Sequence, residues 1–218
     1  MSNTDSFIDE VTEEVRRDRV YKLTRRYGWI AVLAVFLLVG GAAWNEWRKA
    51  DAEAQAQALG DAILSALANN GAADRAEALA GVTATDPGGR AILEMLRAAA
   101  LTEDAQNDAA AEALMAVAAD GEVPQIYRDI AAFKALTATA DSMEPDALRL
   151  QLEALARPGS PIRLLAEEQL ALLDVRTGAT DDALTRLARI LQDAELTPGL
   201  RQRASQLIVA LGGDLTAT

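Results

Sequence analysis

Four prolines set the scale of this chain: Pro87, Pro124, Pro161 and Pro198 follow one another at intervals of 37 residues. Proline has no N–H to donate and a fixed φ, so it favours the first turn of a helix, where that N–H would be unpaired anyway. A proline at constant period therefore predicts a repeated helix start. Nine residues after each proline stand Leu96, Phe133, Leu170 and Leu207, and twelve after stand Ala99, Leu136, Leu173 and Ala210. Two apolar positions a turn apart, at fixed phase, predict stacked helical hairpins that share a core.

Composition agrees with helices. Of the 218 residues 50% are hydrophobic but only 4% aromatic, and much of the apolar count is alanine, which loses no side-chain entropy in a helix. The strict alternation of β-branched residues that marks half-buried strands is missing. The expected class is all-α. Helix pairs are predicted near residues 88–119, 124–156 and 161–194, with a terminal helix at 198–211. A long helix from Trp44 to Leu67 and a shorter one at 72–82 precede them. Asp74, Asp108, Asp146 and Asp182 open the second helices as caps or first-turn acids.

The segment from Leu170 to Leu184 resembles the tetratricopeptide repeat. Gly178 stands between the two helices, the small Ala183 follows five residues later, and Ile190-Leu191 lies toward the end of the second helix. Two departures are plain. No unit has the family's Trp-Leu-Gly-Tyr opening, and the period is 37 where the family's is about 34.

Ahead of the repeats, Tyr27 to Asn45 form a run of 19 residues without a charge. As a helix the run is about 28 Å long, close to the hydrocarbon thickness of a bilayer. Phe36 lies near its middle, Tyr27 and Trp29 at one end, Trp44 and Trp47 at the other. Amphipathic rings prefer those two headgroup levels. A transmembrane helix at 27–47 is expected, and nothing between Asn45 and Leu59 interrupts its continuation. Its rivals are a buried core helix and a cleavable signal peptide with Gly41 and Ala43 as small cleavage residues; the long charged leader and flanking tryptophans favour the uncleaved anchor. Arg16, Arg17, Arg19, Lys22, Arg25 and Arg26 precede the run, whereas only Arg48 and Lys49 follow closely. That asymmetry predicts a cytoplasmic N-terminus, with the C-terminal domain on the far side of the membrane. Gly40 and Gly41 are not spaced as GxxxG.

Residues 5–26 read as an amphipathic helix, with Ser6 and Asp9 as a capping box and Ile8, Val11, Val15 and Leu23 as its apolar stripe. It is either a juxtamembrane helix with a solvated face or a docking helix. The domains expected are a cytoplasmic leader (1–26), the span (27–47), a repeat domain on the far side (48–211) and a tail (212–218).

Charge and missing residues narrow the function classes. Without Cys or His there is no thiol nucleophile, thiolate or imidazole metal site, or Ser-His-Asp triad. Glu167-Glu168 and Asp181-Asp182 are adjacent and diverge around a helix, so they make no acid–base dyad. Residues 51–218 hold 26 acids against 13 bases, which argues against nucleic acid. No cofactor and no small-molecule substrate is expected. Arg90, Arg97, Arg128, Lys134, Arg163 and Arg201 lie on first helices as candidate partner-binding cations. They either grip a carboxylate or pair with neighbouring acids; Asn, which a carboxylate clamp also uses, is absent from those helices.

Three features together resemble one family: Phe7-Ile8-Asp9-Glu10-Val11 and Arg16-Arg17-Asp18-Arg19 in the leader, Trp44-Asn45-Glu46-Trp47 ending the span, and a degenerate tetratricopeptide domain. The chain is similar to the ancillary subunit of the bacterial SecYEG translocon (the YfgM-like family), in its alphaproteobacterial form. The resemblance implies a non-enzymatic inner-membrane scaffold whose periplasmic domain works beside the translocon with a membrane-anchored chaperone of the prolyl-isomerase-like type. It also implies a cytoplasmic link to stress-response factors. The alternatives are an accessory structural subunit of another inner-membrane complex, respiratory or envelope-assembling, and a membrane-bound hydrolase using carboxylates.

Overall fold

The computed structural model describes the backbone of residues 3–214 and the side chains of 25–26, 29–30 and 33–214. Among these residues there are nine α-helices and no strand, so the all-α expectation holds. The chain divides into two units, Met1–Gln57 and Ala58–Thr218.

The described residues of the first unit lie on α1 (Asn3–Leu67). One helix thus covers what the sequence divides into leader, span and the helix from Trp44. Its apolar side chains are bare: Trp29, Phe36, Leu38, Trp44 and Trp47 are all at least 60% exposed. Among the described residues, no helix is long and apolar enough to cross a membrane. Within the uncharged run the side chains of Tyr27, Gly28, Ala31 and Val32 lie outside those described, as do those of Arg16, Arg17, Arg19 and Lys22 in the leader; Arg25 and Arg26 are exposed.

The second unit strings helices together, each packed mainly on its neighbours in sequence, which is the arrangement of a solenoid. After the end of α1 come α2 (Ala72–Ala80), α3 (Pro87–Glu103), α4 (Asn107–Ala119), α5 (Gln125–Ala138) and α6 (Pro145–Leu155). Then follow α7 (Arg163–Arg176), α8 (Thr180–Leu191) and α9 (Pro198–Ala210). The core falls into three successive clusters. Leu79, Leu93 and Leu114 centre the first, Leu136, Leu152 and Leu170 the second, and Leu187, Leu200 and Ile208 the third.

Helix starts follow the prolines, with two shifts. Pro87 and Pro198 open their helices, behind Asp86 and Thr197, whose side chains accept from the N–H groups of Gly89 at 2.8 Å and Leu200 at 3.4 Å. Pro124 is instead the cap of α5, and Pro161 precedes Ile162, the cap of α7. Asp74, Asp108, Asp146 and Asp182 all sit in first turns, where a negative charge meets the positive end of the helix dipole.

The apolar register needs correction. Leu136 and Leu173 are buried as expected, but Ala99 and Ala210 are exposed. The side chains repeat on a different ruler from the prolines. Ala98 and Ala171, Ala110 and Ala183, Leu114 and Leu187 are all buried, and each pair lies 73 residues apart. Pro87 and Pro161 are 74 apart, and one residue turns a helix by about 100°. Two hairpins, α3–α4 and α7–α8, thus match each other better than either matches α5–α6.

Their turns match too. α7 ends with Gly178 at φ 81°; Ala179 N–H donates to Asp174 at 2.8 Å and Gly178 N–H to Val175 at 3.1 Å, a Schellman cap. α3 ends the same way through Ala105, at φ 60°, with Gln106 donating to Leu101 at 2.8 Å and Ala105 to Thr102 at 3.0 Å.

Candidate interaction surface

Arg90, on the first turn of α3, donates to Asp120 at 3.3 Å and Glu122 at 2.9 Å, in the loop leaving α4. Arg163, on the first turn of α7, does the same with Asp193 and Glu195, both at 2.9 Å, in the loop leaving α8. In each loop the aspartate also accepts the N–H two residues ahead, at 2.9 Å. An arginine at the start of a hairpin thereby fastens the chain as it leaves that hairpin. The Glu122 N–H first, with Arg90, holds the Asp120 carboxyl below its ordinary value; the Glu195 N–H and then Arg163 do this for Asp193. Both arginines are held above theirs by the carboxylates they donate to.

The middle hairpin reverses the charges. Buried Asp129 on α5 accepts from Gln125 at 2.6 Å and faces Arg157, in the loop leaving α6, at 3.5 Å. The fastening keeps its place and inverts its sign.

α7 carries a second set of ties. Asp174, 1% exposed, lies 2.7 Å from Arg149 of α6 and accepts from Arg186 of α8 at 3.0 Å. Arg186 also reaches Glu167 at 2.5 Å, and Arg203 of α9 grips buried Glu168 with two bonds of 2.6 and 2.7 Å. Burial lowers the Arg186 guanidinium, but its bonds to Glu167 and Asp174 outweigh that and leave it raised. Removing one partner would strand a charge away from water, which makes these pairs obligatory. Their chemistry is saturated, with each buried carboxylate of α7 already facing guanidinium.

Of the six first-helix cations, then, Arg90 and Arg163 are engaged within the chain, and Arg97 pairs with Glu94 at 3.2 Å. Arg128 donates to Gln125, and its buried Nε has no partner. Lys134 and Arg201 are exposed. No shared patch gathers the six, because most are spent on separate ties. Sequence reading missed Arg149, Arg157 and Arg186, which lie outside the first helices, and Arg203, which shares α9 with Arg201. The Asp-x-Glu of 120–122 and 193–195, 73 residues apart, was the signal that could have revealed the fastening.

Two clefts flank the α5–α6 hairpin, which lacks the tight Schellman turn of its neighbours. One, about 280 Å³, lies where α5, α6 and α7 meet, with Asp141 and Arg176 at its edge. The other, about 370 Å³, lies among α4, α5 and α6 and is lined by Ala111, Met115, Leu136 and Met143. Leu136 stands between them and lines both. Among the described residues, no group of acids is arranged to hold a metal ion. Compared with known protein families, characterised proteins and solved structures, the chain matches none.

Proposed function

We propose that the protein is a non-enzymatic scaffold of the bacterial inner membrane. It is anchored by the helix at 27–47, with a cytoplasmic N-terminus and a periplasmic repeat domain. Its domain binds proteins at the SecYEG translocon together with a membrane-anchored periplasmic chaperone, and so assists secreted proteins.

The observation that carries the anchor is the bare apolar surface of α1. Leu33, Val35, Phe36, Leu37, Leu38 and Val39 are between 48% and 74% exposed, on all sides of the helix. A helix apolar all round is at home only inside a core or a bilayer. Trp44 and Trp47 form a tilted pair with ring centroids 5.4 Å apart, next to Arg48 and Lys49, which suits a headgroup boundary. Six basic residues before the run against two after support the orientation. Naming the translocon rests on the resemblance of the leader, the Trp-Asn-Glu-Trp segment and the helical repeats.

The chain has no cysteine, so single cysteines report topology directly. Ser2→Cys should resist an impermeant maleimide added to intact cells while Ser205→Cys reacts; the opposite pattern, or release of the chain by alkaline carbonate, overturns the anchor. Cross-linking in mild detergent should then recover Sec components or a periplasmic chaperone. Co-migration with a respiratory or envelope-assembly complex, and not with Sec, would replace the translocon with that complex.

A further inference from the structure

α4 has an apolar inner face and a mixed outer one. Inward it buries Ala110, Ala111, Leu114 and Val117; outward it exposes Ala109, Met115, Ala116 and Ala119 beside Asp108 and Glu112. Met115 is 46% exposed. The cleft of about 370 Å³ opens beside this outer face. A site of about 150 Å³ already admits a benzene-sized group, so the cleft has room for one or two large side chains. Methionines line it from two elements, and Gln151 donates to the Met143 sulfur at 4.0 Å. Thioether side chains repack around differently shaped guests.

Charge selects the guest. α4 carries Asp108 and Glu112 and no Lys or Arg, alone among α2 to α9. Glu112 is exposed at the cleft and makes no ion pair among the described residues. The surrounding domain holds 26 acids to 13 bases over residues 51–218, a field that attracts cations. A second copy fits poorly, since it would set Asp108 and Glu112 against their own kind.

We propose that the outer face of α4 docks a basic amphipathic helix of a partner protein, whose large apolar side chains enter the cleft between Met115 and Met143 and whose Lys or Arg meets Glu112. This rests on the protein-binding reading above and names the partner's chemistry.

The test uses the full chain in an uncharged detergent. The probes are a Leu/Lys amphipathic helical peptide with a photo-reactive leucine, its Leu/Glu counterpart, and a Leu/Lys peptide of scrambled order. Cross-links are located by mass spectrometry. The ordered basic peptide should label α4 and α6 saturably, and the other two should not. Met115→Ala should weaken it about tenfold and Glu112→Gln about threefold, with melting temperature unchanged. Equal labelling by the acidic or scrambled peptide overturns the proposal, as do labelling confined to α1 and indifference to both substitutions. Concentration-dependent dimers that block labelling would assign the face to a second copy and overturn it too. Specific labelling without Sec components among the cross-linked partners in cells would overturn the translocon reading and leave this surface standing.

Discussion

Arg163 on α7 donates to Asp193 at 2.9 Å, joining the first turn of one hairpin to the loop that leaves it. Because the Glu195 N–H and Arg163 hold the Asp193 carboxyl below its ordinary 3.8, folding gains from its ionised form. A depressed folded value means that this stability is present above 3.8 and is lost as pH falls through the lowered value. Asp193→Asn should therefore melt below the parent chain at pH 7, and the two melting temperatures should converge below about pH 4. A gap that stays constant down to pH 2, followed by circular dichroism, contradicts this account.

Asp174 presents a harsher case. With Arg149 at 2.7 Å and Arg186 at 3.0 Å around a carboxylate only 1% exposed, Asp174→Ala should cost about 3 to 5 kcal/mol in urea unfolding. The equivalent position 73 residues earlier is Leu101, which is buried without any charge. Asp174→Leu combined with Arg149→Met, which leaves Arg186 paired with Glu167, should recover most of the loss. Failure of the double variant to recover would mean that the charges do more than satisfy one another.

Ala105 adopts φ 60° at the turn where its counterpart is Gly178. A side chain in the left-handed region is strained, so Ala105→Gly should stabilise the chain by about 0.5 to 1 kcal/mol, despite the looser unfolded state. Gly178→Ala should destabilise it by about 1 kcal/mol. Chemical denaturation of both variants checks the signs, and destabilisation by Ala105→Gly would refute the assignment.

Leucines that look alike in sequence should differ sharply. Leu187 is fully buried in the third core cluster, whereas Leu150 is 70% exposed on α6. Leu187→Ala should cost about 2 to 5 kcal/mol, and Leu150→Ala should stay within about 0.5 kcal/mol. Comparable losses at both sites would place Leu150 in an interface.

Much of the fold is legible in local sequence pattern. Gly178 and the first-turn acids mark helix ends, since turn geometry and dipole interactions act over a few residues. The matched apolar pair fails at Ala99 and Ala210 because the prolines sit at different cap positions, as Pro87 in α3 and Pro161 ahead of α7 show. An offset of one residue is invisible in a spacing and decisive on a helix face. The first-helix cations fall where the spacing puts them, but the partners of Arg163 lie 30 and 32 residues on, beyond the reach of local pattern.

The sequence alone determined that this chain is helical, near which residues the repeat helices begin, that its units recur, and that a long uncharged segment precedes them. These follow from propensity, capping and composition, which are properties of neighbouring residues. Only the tertiary structure decided that the repeat of side chains is 73 residues, that Asp129 and Arg157 invert the pairing of Arg90 and Arg163, and that α4 leaves Met115 exposed on its outer face. Those outcomes depend on which helix faces meet when hairpins stack, and a change of one residue in a turn rotates every side chain beyond it.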